Sequence, residues 1–383
     1  MIIAAELQMQ GNKHIGVNSS MLKILADELN DEIIIFCDTL HKDILAEKYE
    51  YNNISWRTFK YSGEFELKKI AIPLKVMREV FLSFKIFILA HNKKSNLIFF
   101  FSSYPFTQFF LNIFSFIFNQ KIIVCQHGDL GVLSMRKPKI LSKIFGYAQR
   151  FFFNFRFNKV IVLFYGESVR KLFFSKFKKY NSNNVISIDH PYNFRSDLPV
   201  KIKSRPIKIS GIGTGLINKN SQYIYKLAKL LEEEIKRGEI IFQHIGNISP
   251  EVLSYRNGLV IEKGNKFMDY DIFKKELNES DFFIYFFEKD TLYDLCPSGT
   301  FFDAIKYQKP ILAIENPFFS HYFEKLGDIG FLAKDLNELK DYIAKGSMKN
   351  DNIFLSNLEN ATYLLDLKEI GKSFKIQFDE INN

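Results

Sequence analysis

Short apolar runs alternate with helical patterns twice along the 383 residues, and this alternation constrains the fold more than any other feature. In the first half, strand-like runs at 2–5, 32–37, 97–101, 121–125, 159–164 and 185–188 bracket helical periodicity near 19–29, 73–90, 105–118, 138–153 and 167–177. Parallel strands need crossovers of a dozen or more residues, so this rhythm predicts a doubly wound α/β sheet. The stretch DHPYNFRSDLPVKIKSRP, with Pro191, Pro199 and Pro206, interrupts it and reads as a linker. The rhythm restarts at 207–211 and continues through 240–245, 259–262, 282–287, 311–314 and 331–333. A helix over 220–237 buries Tyr223, Leu227, Leu230, Leu231 and Ile235, and 352–378 reads as helical. The expectation is two Rossmann-like domains, 1–195 and 207–361, with a linker at 196–206; each has an ordinary domain size.

Residues 97–118, LIFFFSSYPFTQFFLNIFSFIF, carry no charge over a length that could span a bilayer. Pro105, Gln108 and Asn112 argue against a span. Phe106, Phe109, Phe110, Ile113, Phe114, Ile117 and Phe118 fall on one helical stripe, leaving Thr107, Gln108, Asn112 and Ser115 off it. That pattern predicts an amphipathic helix with its Phe face on a sheet. The beginning, MIIAAELQMQ, meets Glu6 early and reads as a first strand rather than a signal peptide. Cys37, Cys125 and Cys296 form no CxxC pair, so neither a metal site nor a disulfide framework is expected, and a cytoplasmic setting suits them.

The net charge of +9 is uneven. Residues 51–180 hold 22 Lys and Arg against 5 Asp and Glu, interleaved with aromatics as in KVMREVFLSFKIF and RFFFNFRFNK. Such a surface suits an anionic membrane or a polyanion, or is simply a solvated helix face over a Phe-rich core. No signature of an RNA- or DNA-binding module accompanies it, so nucleic acid is not the expected partner.

In doubly wound sheets, ligands bind beyond the carboxyl ends of the strands, at helix N-termini. After the strand at 207–211 comes GIGTGLINKN, where Gly213 permits close backbone approach, Thr214 offers a hydroxyl and Lys219 a cation. It is neither GxGxxG nor a Walker loop. Gly246-Asn247 follows the next strand; Lys263 and Glu288 follow later ones. In LCPSGTFFDAIKYQKPIL, Pro297 precedes Ser298 at a helix N-cap, and Gly299 and Thr300 lie in the first turn. Free N–H groups and the helix dipole there make an anion site as readily as a plain cap. Asp303 lies one turn in. In the first half, Gln126-His127-Gly128-Asp129 follows an apolar strand, and Gly11, Asn12 and His14 lie in the loop after the first strand.

The run strand, acidic turn, PSGTFFDAIKYQKPIL, strand resembles the nucleotide-sugar site of GT-B glycosyltransferases, with Gln308-Lys309-Pro310-Ile311-Leu312 matching the family's strand lead-in and Asp303 its helical acid. GIGTG resembles the first glycine-rich loop of that domain. The resemblance implies two Rossmann-like domains facing a cleft, a C-terminal helix at 362–383 crossing back, and no bound metal or cofactor. It implies a donor site drawn from Gly213, Thr214, Lys219, Gly246, Asn247, Lys263, Glu288, Pro297, Ser298, Gly299, Thr300 and Asp303, and an acceptor side with Gly11, Asn12 and His14. His127 or Asp129 would take the acceptor proton in an inverting enzyme; in a retaining one His127 would contact the donor sugar. The family's spaced pair of glutamates is not intact, since Leu295 stands eight residues before Asp303. Implied partners are a nucleotide-sugar, a glycan or glycolipid acceptor, and an anionic membrane surface. Two rival readings are a same-fold nucleotide-sugar epimerase and a non-catalytic polyanion- or RNA-binding protein.

Overall fold

The computed structural model describes residues 1–11, 13–48, 53–60, 71–126, 128–134, 140–194, 206–264, 268–287, 289, 295–346 and 352–382. The chain divides into two compact units. The first comprises Met1–Asn193, Leu295–Pro297 and Leu367–Asn383, and the second Phe194–Asp294 and Ser298–Asp366.

In the first unit, β1 (Ile2–Glu6), β2 (Ile33–Asp38), β3 (Ile54–Phe59), β4 (Leu97–Ser102), β5 (Ile122–Gln126), β6 (Val160–Tyr165) and β7 (Val185–Ile188) form a parallel sheet in the order β3-β2-β1-β4-β5-β6-β7. The helices are α1 (Ile15–Leu29), α2 (Thr39–Lys48), α3 (Ala71–Lys93), α4 (Pro105–Ile117), α5 (Gly131–Ser134), α6 (Ile140–Asn154) and α7 (Glu167–Lys176). A parallel sheet must be covered on both faces. Met21 and Leu25 of α1 pack one face; Phe87 of α3, Leu111 of α4, Phe152 of α6 and Phe173 of α7 pack the other.

In the second unit, β8 (Ile207–Ile212), β9 (Ile240–Ile245), β10 (Val260–Lys263), β11 (Phe282–Tyr285), β12 (Ile311–Ile314) and β13 (Gly330–Ala333) are also parallel, in the order β10-β9-β8-β11-β12-β13. Their helices are α8 (Tyr223–Leu230), α9 (Glu232–Lys236), α10 (Pro250–Leu253), α11 (Tyr270–Glu279), α12 (Gly299–Lys306), α13 (Pro317–Leu326), α14 (Leu336–Ala344) and α15 (Asn352–Leu364). Ile224 and Leu227 of α8 and Leu339 of α14 share one core. Phe301 of α12 meets Phe318 and Tyr322 of α13 at ring distances of 5.2 and 4.6 Å on buried ground. The last helix, α16 (Leu367–Asn382), packs Ile370 and Phe374 into the core of the first unit, against α1 and β7.

Several local expectations change. The helix expected over 220–237 breaks at Leu231 into α8 and α9, and Leu230 is exposed. The segment expected to be helical at 352–378 is helical, divided after Leu364 into α15 and α16. The most deeply buried side of α4 is its polar side, not the expected Phe stripe. Thr107, Gln108, Asn112 and Ser115 are buried along with Pro105 and Leu111, whereas Phe106 and Ile117 of the expected stripe are exposed and its other five members are half-buried, Phe114 and Phe118 against the core. The polar side chains find partners inside: Asn112 Nδ2 donates to the Phe155 carbonyl at 2.7 Å, and Gln108 Nε2 to that of Ser103 at 3.2 Å.

Gly330 marks a tight strand contact. Its φ is 155°, and a Cβ there would lie 1.9 Å from the Ile311 carbonyl oxygen. Gly330→Ala is therefore expected to cost about 3 kcal/mol as β12 and β13 are forced apart. Gly299→Ala, whose Cβ meets open space, is expected to cost nothing. Urea midpoints of the two variants against the parent check this.

Candidate functional site

In each sheet the strand order reverses once, between β1 and β4 and between β8 and β11. Such a switch point leaves a crevice at the carboxyl ends, because the flanking helices depart to opposite sides.

At the switch of the second unit, glycines bring the backbone close. Gly213 follows β8 with φ 82°, and its N–H donates to the Ile245 carbonyl at 2.9 Å. Gly246 follows β9 with φ 125°; a Cβ there would sit 2.4 Å from the Gly213 oxygen. His244, only 4% exposed on β9, places Nε2 3.0 Å from that same oxygen. A carbonyl only accepts, so Nε2 carries the proton. Burial pushes the His244 imidazole down to about 4, against the contrary pull of the Gly213 hydrogen bond, so the ring is neutral at pH 7. A side chain on Gly211 or Gly215 would come within 3.0–3.1 Å of this ring.

A narrow cavity of about 30 Å³ opens here, lined among others by Thr214, Lys219, Ser221, His244, Tyr285 and Thr300. The α12 N-terminus forms one side. Ser298 stands at its N-cap with φ −91°, yet its hydroxyl makes no capping bond and lies 3.0 Å from the Thr300 hydroxyl. Tyr285 donates its hydroxyl to the Thr300 carbonyl at 2.7 Å. Burial, with the nearby Asp303 carboxylate, holds this phenol well above its usual range, so it remains a donor. One residue earlier on each of the two strands, Gln243 donates to the Ser210 hydroxyl at 2.7 Å.

The switch of the first unit is filled differently. Glu6 ends β1, buried, and accepts from the N–H groups of Gln8 (2.9 Å) and Met9 (3.1 Å), the Ser102 hydroxyl (2.6 Å) and Asn18 Nδ2 (3.0 Å). His41 Nδ1 lies 2.7 Å from the Gly11 carbonyl and must donate to it, leaving Nε2 to accept from Asn18 at 3.1 Å.

No family sequence model and no curated protein sequence matches this chain. Solved structures do. Anabaena HepE in complex with UDP aligns over 99% of both chains with TM-score 0.63 at 15% identity. A glycosyltransferase from Rickettsia africae aligns over 100% of this chain and 98% of its own, at 0.62 and 14%. Arabidopsis thaliana UGT89C1 complexed with quercetin gives 0.56 and 10%, over 100% and 98%. The chain has the GT-B fold.

Within that GT-B fold, the structure brings together Gly213, Thr214, Lys219, Gly246, Ser298 and Thr300 at one switch point. Gly299 is exposed beside them, and Asp303 lies one turn further along α12. Asn247 is exposed and holds Gly215 through its carbonyl at 2.8 Å. Lys263 is committed elsewhere: its ammonium pairs with Glu276 of α11, so of the two lysines singled out by sequence it is Lys219 that lines the cavity. Pro297 clusters with the first unit. Glu288, His127 and Asn12 lie outside the described residues. Asp129 lies in the 3-10 turn Gly128–Leu130, where its backbone alone is described. Gly11 has φ 53°, and His14, exposed, occupies the N-cap of α1 with φ 56°. Among the described residues, no three of His, Cys, Asp and Glu are grouped to hold a metal ion. Sequence reasoning missed Glu6, Ser221 and Tyr285. An acidic residue directly after the apolar run IIAA was the available signal for Glu6.

His244 gives a pH test. Its folded value of about 4 lies below the ordinary imidazole value of 6.5. The unfolded chain therefore takes up a proton first on acidification, and the stability this group supplies above pH 6.5 is lost as pH falls toward 4. His244→Gln can still donate to the Gly213 carbonyl but cannot titrate. Urea denaturation between pH 7 and 4 should show a shallower loss of stability in the variant, by up to about one proton's worth, or roughly 1.4 kcal/mol per pH unit.

Proposed function

We propose that the chain is a hexosyltransferase that moves a sugar from a nucleotide-sugar to an acceptor hydroxyl, with no bound metal. The acceptor is a lipid-linked or surface-glycan precursor of the polysaccharide or lipopolysaccharide type, met at the cytoplasmic face of a bacterial plasma membrane. The observation that carries the donor side is the switch-point cavity, where hydroxyls, a lysine and an uncapped helix N-terminus converge on glycine-lined backbone. That chemistry suits a diphosphate. The Anabaena structure with UDP, which shares this fold, supports the same class of ligand.

In this reading the bond from the anomeric carbon to the diphosphate oxygen breaks as the acceptor oxygen bonds to that carbon. Charge grows on the departing diphosphate. The α12 N–H groups, the dipole behind them, Thr300, Thr214 and Lys219 stabilise it without reorganising. Asp303, one turn along, accepts hydrogen bonds from ribose or sugar hydroxyls. For an inverting reaction, His127 or Asp129 takes the acceptor proton.

A thermal-shift panel of UDP, GDP, dTDP, ADP and CMP tests the donor site. One nucleotide at about 100 times its Kd should add about 2.7 kcal/mol of stability to the parent. Combining Ser298→Ala with Thr300→Ala should abolish most of the response. No response in the parent to any nucleotide would sink the reading. The lysines should separate as well. Lys219→Ala should weaken nucleotide binding about tenfold or more, the usual loss for a charge-assisted contact, and Lys263→Ala should leave it close to the parent by titration calorimetry.

A further inference from the structure

Three neighbouring helices of the first unit carry apolar residues on their outer faces as well as toward the core. α3 packs against α4, and α4 against α6. On α3, Leu74, Met77, Phe81, Phe84 and Ile88 follow one another at spacings of three and four, the period of a buried seam, yet they are 39–67% exposed. On α6, Ile140, Ile144, Tyr147 and Phe151 repeat that rhythm at 44–80% exposure. On α4 the outward residues are Phe106, Phe116 and Ile117. Rings bridge the helices: Phe84 meets Phe114 at 5.4 Å, and Phe109 meets Phe151 at 5.1 Å. The result is one apolar surface across three helices rather than scattered exposed side chains.

The polar residues face inward. Glu79 of α3 is buried, and its carboxyl group accepts from the Thr107 hydroxyl at 3.1 Å and the Tyr104 N–H at 3.3 Å. Burial raises its pKa to about 8, so it is largely uncharged at neutral pH. Gln149 of α6 donates to Gln108 of α4 at 3.0 Å and to Gln126 of β5 at 2.8 Å, all three buried. Helices that hold their polar groups against one another and show apolar residues outward are matched to an apolar surrounding.

Charge selects the occupant. From residue 71 to 160 there are 13 Lys and Arg against 2 Asp and Glu, one of which is the buried Glu79. Cations sit among the exposed rings: the Lys85 ammonium lies 4.4 Å from the Phe81 ring centre, and the Arg150 guanidinium 5.9 Å from that of Tyr147. A second copy of the chain would cover the apolar stripes but bring two cationic rims together. A nucleic acid would match the cations but lay phosphates on Leu74 and Met77. An anionic bilayer takes both, the cations at its headgroups and the stripes at the acyl boundary. No described helix is long and apolar enough to cross a membrane, which leaves insertion from one side.

We propose that the α3–α4–α6 face docks the protein on an anionic phospholipid bilayer by inserting its apolar stripes into the interfacial layer. The inference rests on the membrane-side acceptor proposed above and is independent of the donor site.

The test uses the full chain with phosphatidylcholine vesicles, with and without phosphatidylglycerol. The parent should partition onto the anionic vesicles, and high salt should weaken but not abolish binding. Combining Met77→Gln, Phe81→Gln and Tyr147→Gln should reduce partitioning at least about tenfold, since each position contributes buried apolar area. Phe81→Trp adds a direct readout beside the single native Trp56: its emission should shift to the blue on binding and be quenched by brominated acyl chains. An unchanged nucleotide-induced thermal shift in the triple variant confirms that it is folded. No binding of the parent to either vesicle, equal binding by the triple variant, no quenching at position 81, or a parent dimer dissolved by the triple substitution would each overturn the proposal. Nucleotide stabilisation without vesicle binding removes the docking face and leaves sugar transfer standing. Vesicle binding without nucleotide stabilisation does the reverse.

Discussion

The Gly213 carbonyl governs the carboxyl end of the second sheet. It accepts the Nε2–H of a neutral, buried His244, and it stands so near Gly246 that no side chain fits between them. β8 and β9 are thereby locked together just where both chains must turn away. Gly213 itself faces Thr300, whose Cγ2 would lie 3.1 Å from an added Cβ. One oxygen thus links the first glycine loop, the second strand and, through its own residue, the α12 N-terminus. The histidine is structural in this account. It holds the loop in the shape that leaves Thr214 and Lys219 beside the cavity, and its low pKa follows from the burial that the packing requires.

The first sheet spends its buried polar groups in another way. Glu79, Thr107, Gln108, Gln126 and Gln149 lie beneath the same helices whose outer faces carry Phe, Leu and Ile. Burying a carboxyl or an amide costs free energy unless it finds partners, and these find them mostly in each other and in nearby backbone. The sheet still receives enough apolar contact from Phe87, Leu111 and Phe152 to close its core, so the remaining helix surface is free to be apolar outside.

That choice separates what was legible in the sequence from what was not. Six of the seven strands of the first sheet are plain in the apolar runs, because parallel strands buried on both faces leave near-continuous Ile, Val and Phe. β3 escaped because it is an edge strand, and ISWRTF alternates with exposed Ser55 and Arg57. The stripe on α4 was legible but its direction was not. Periodicity reports that two faces differ, whereas the partner of each face depends on neighbouring helices that no local pattern describes. In the same way, PSGT and GIGTG announced backbone turns at strand ends. That Lys219 rather than Lys263 would line the cavity depended on Glu276, thirteen residues away on α11.

The two switch points show how one topology yields two chemistries. In the second unit the crevice between β8 and β11 is bordered by glycines, hydroxyls, a lysine and a helix whose N-cap serine makes no capping bond, so positive potential faces an opening that a side chain would close. In the first unit the equivalent position between β1 and β4 is occupied from within. Glu6 gathers four donors, the number of lone-pair sites a carboxylate offers, and Asn18 and His41 extend the network to the Gly11 carbonyl. N–H groups that would otherwise greet an anion there, those of Gln8 and Met9, are already spent on Glu6. The same reversal of strand order therefore leaves a crevice bordered by hydroxyls and a lysine in one unit and a buried, hydrogen-bonded carboxylate in the other.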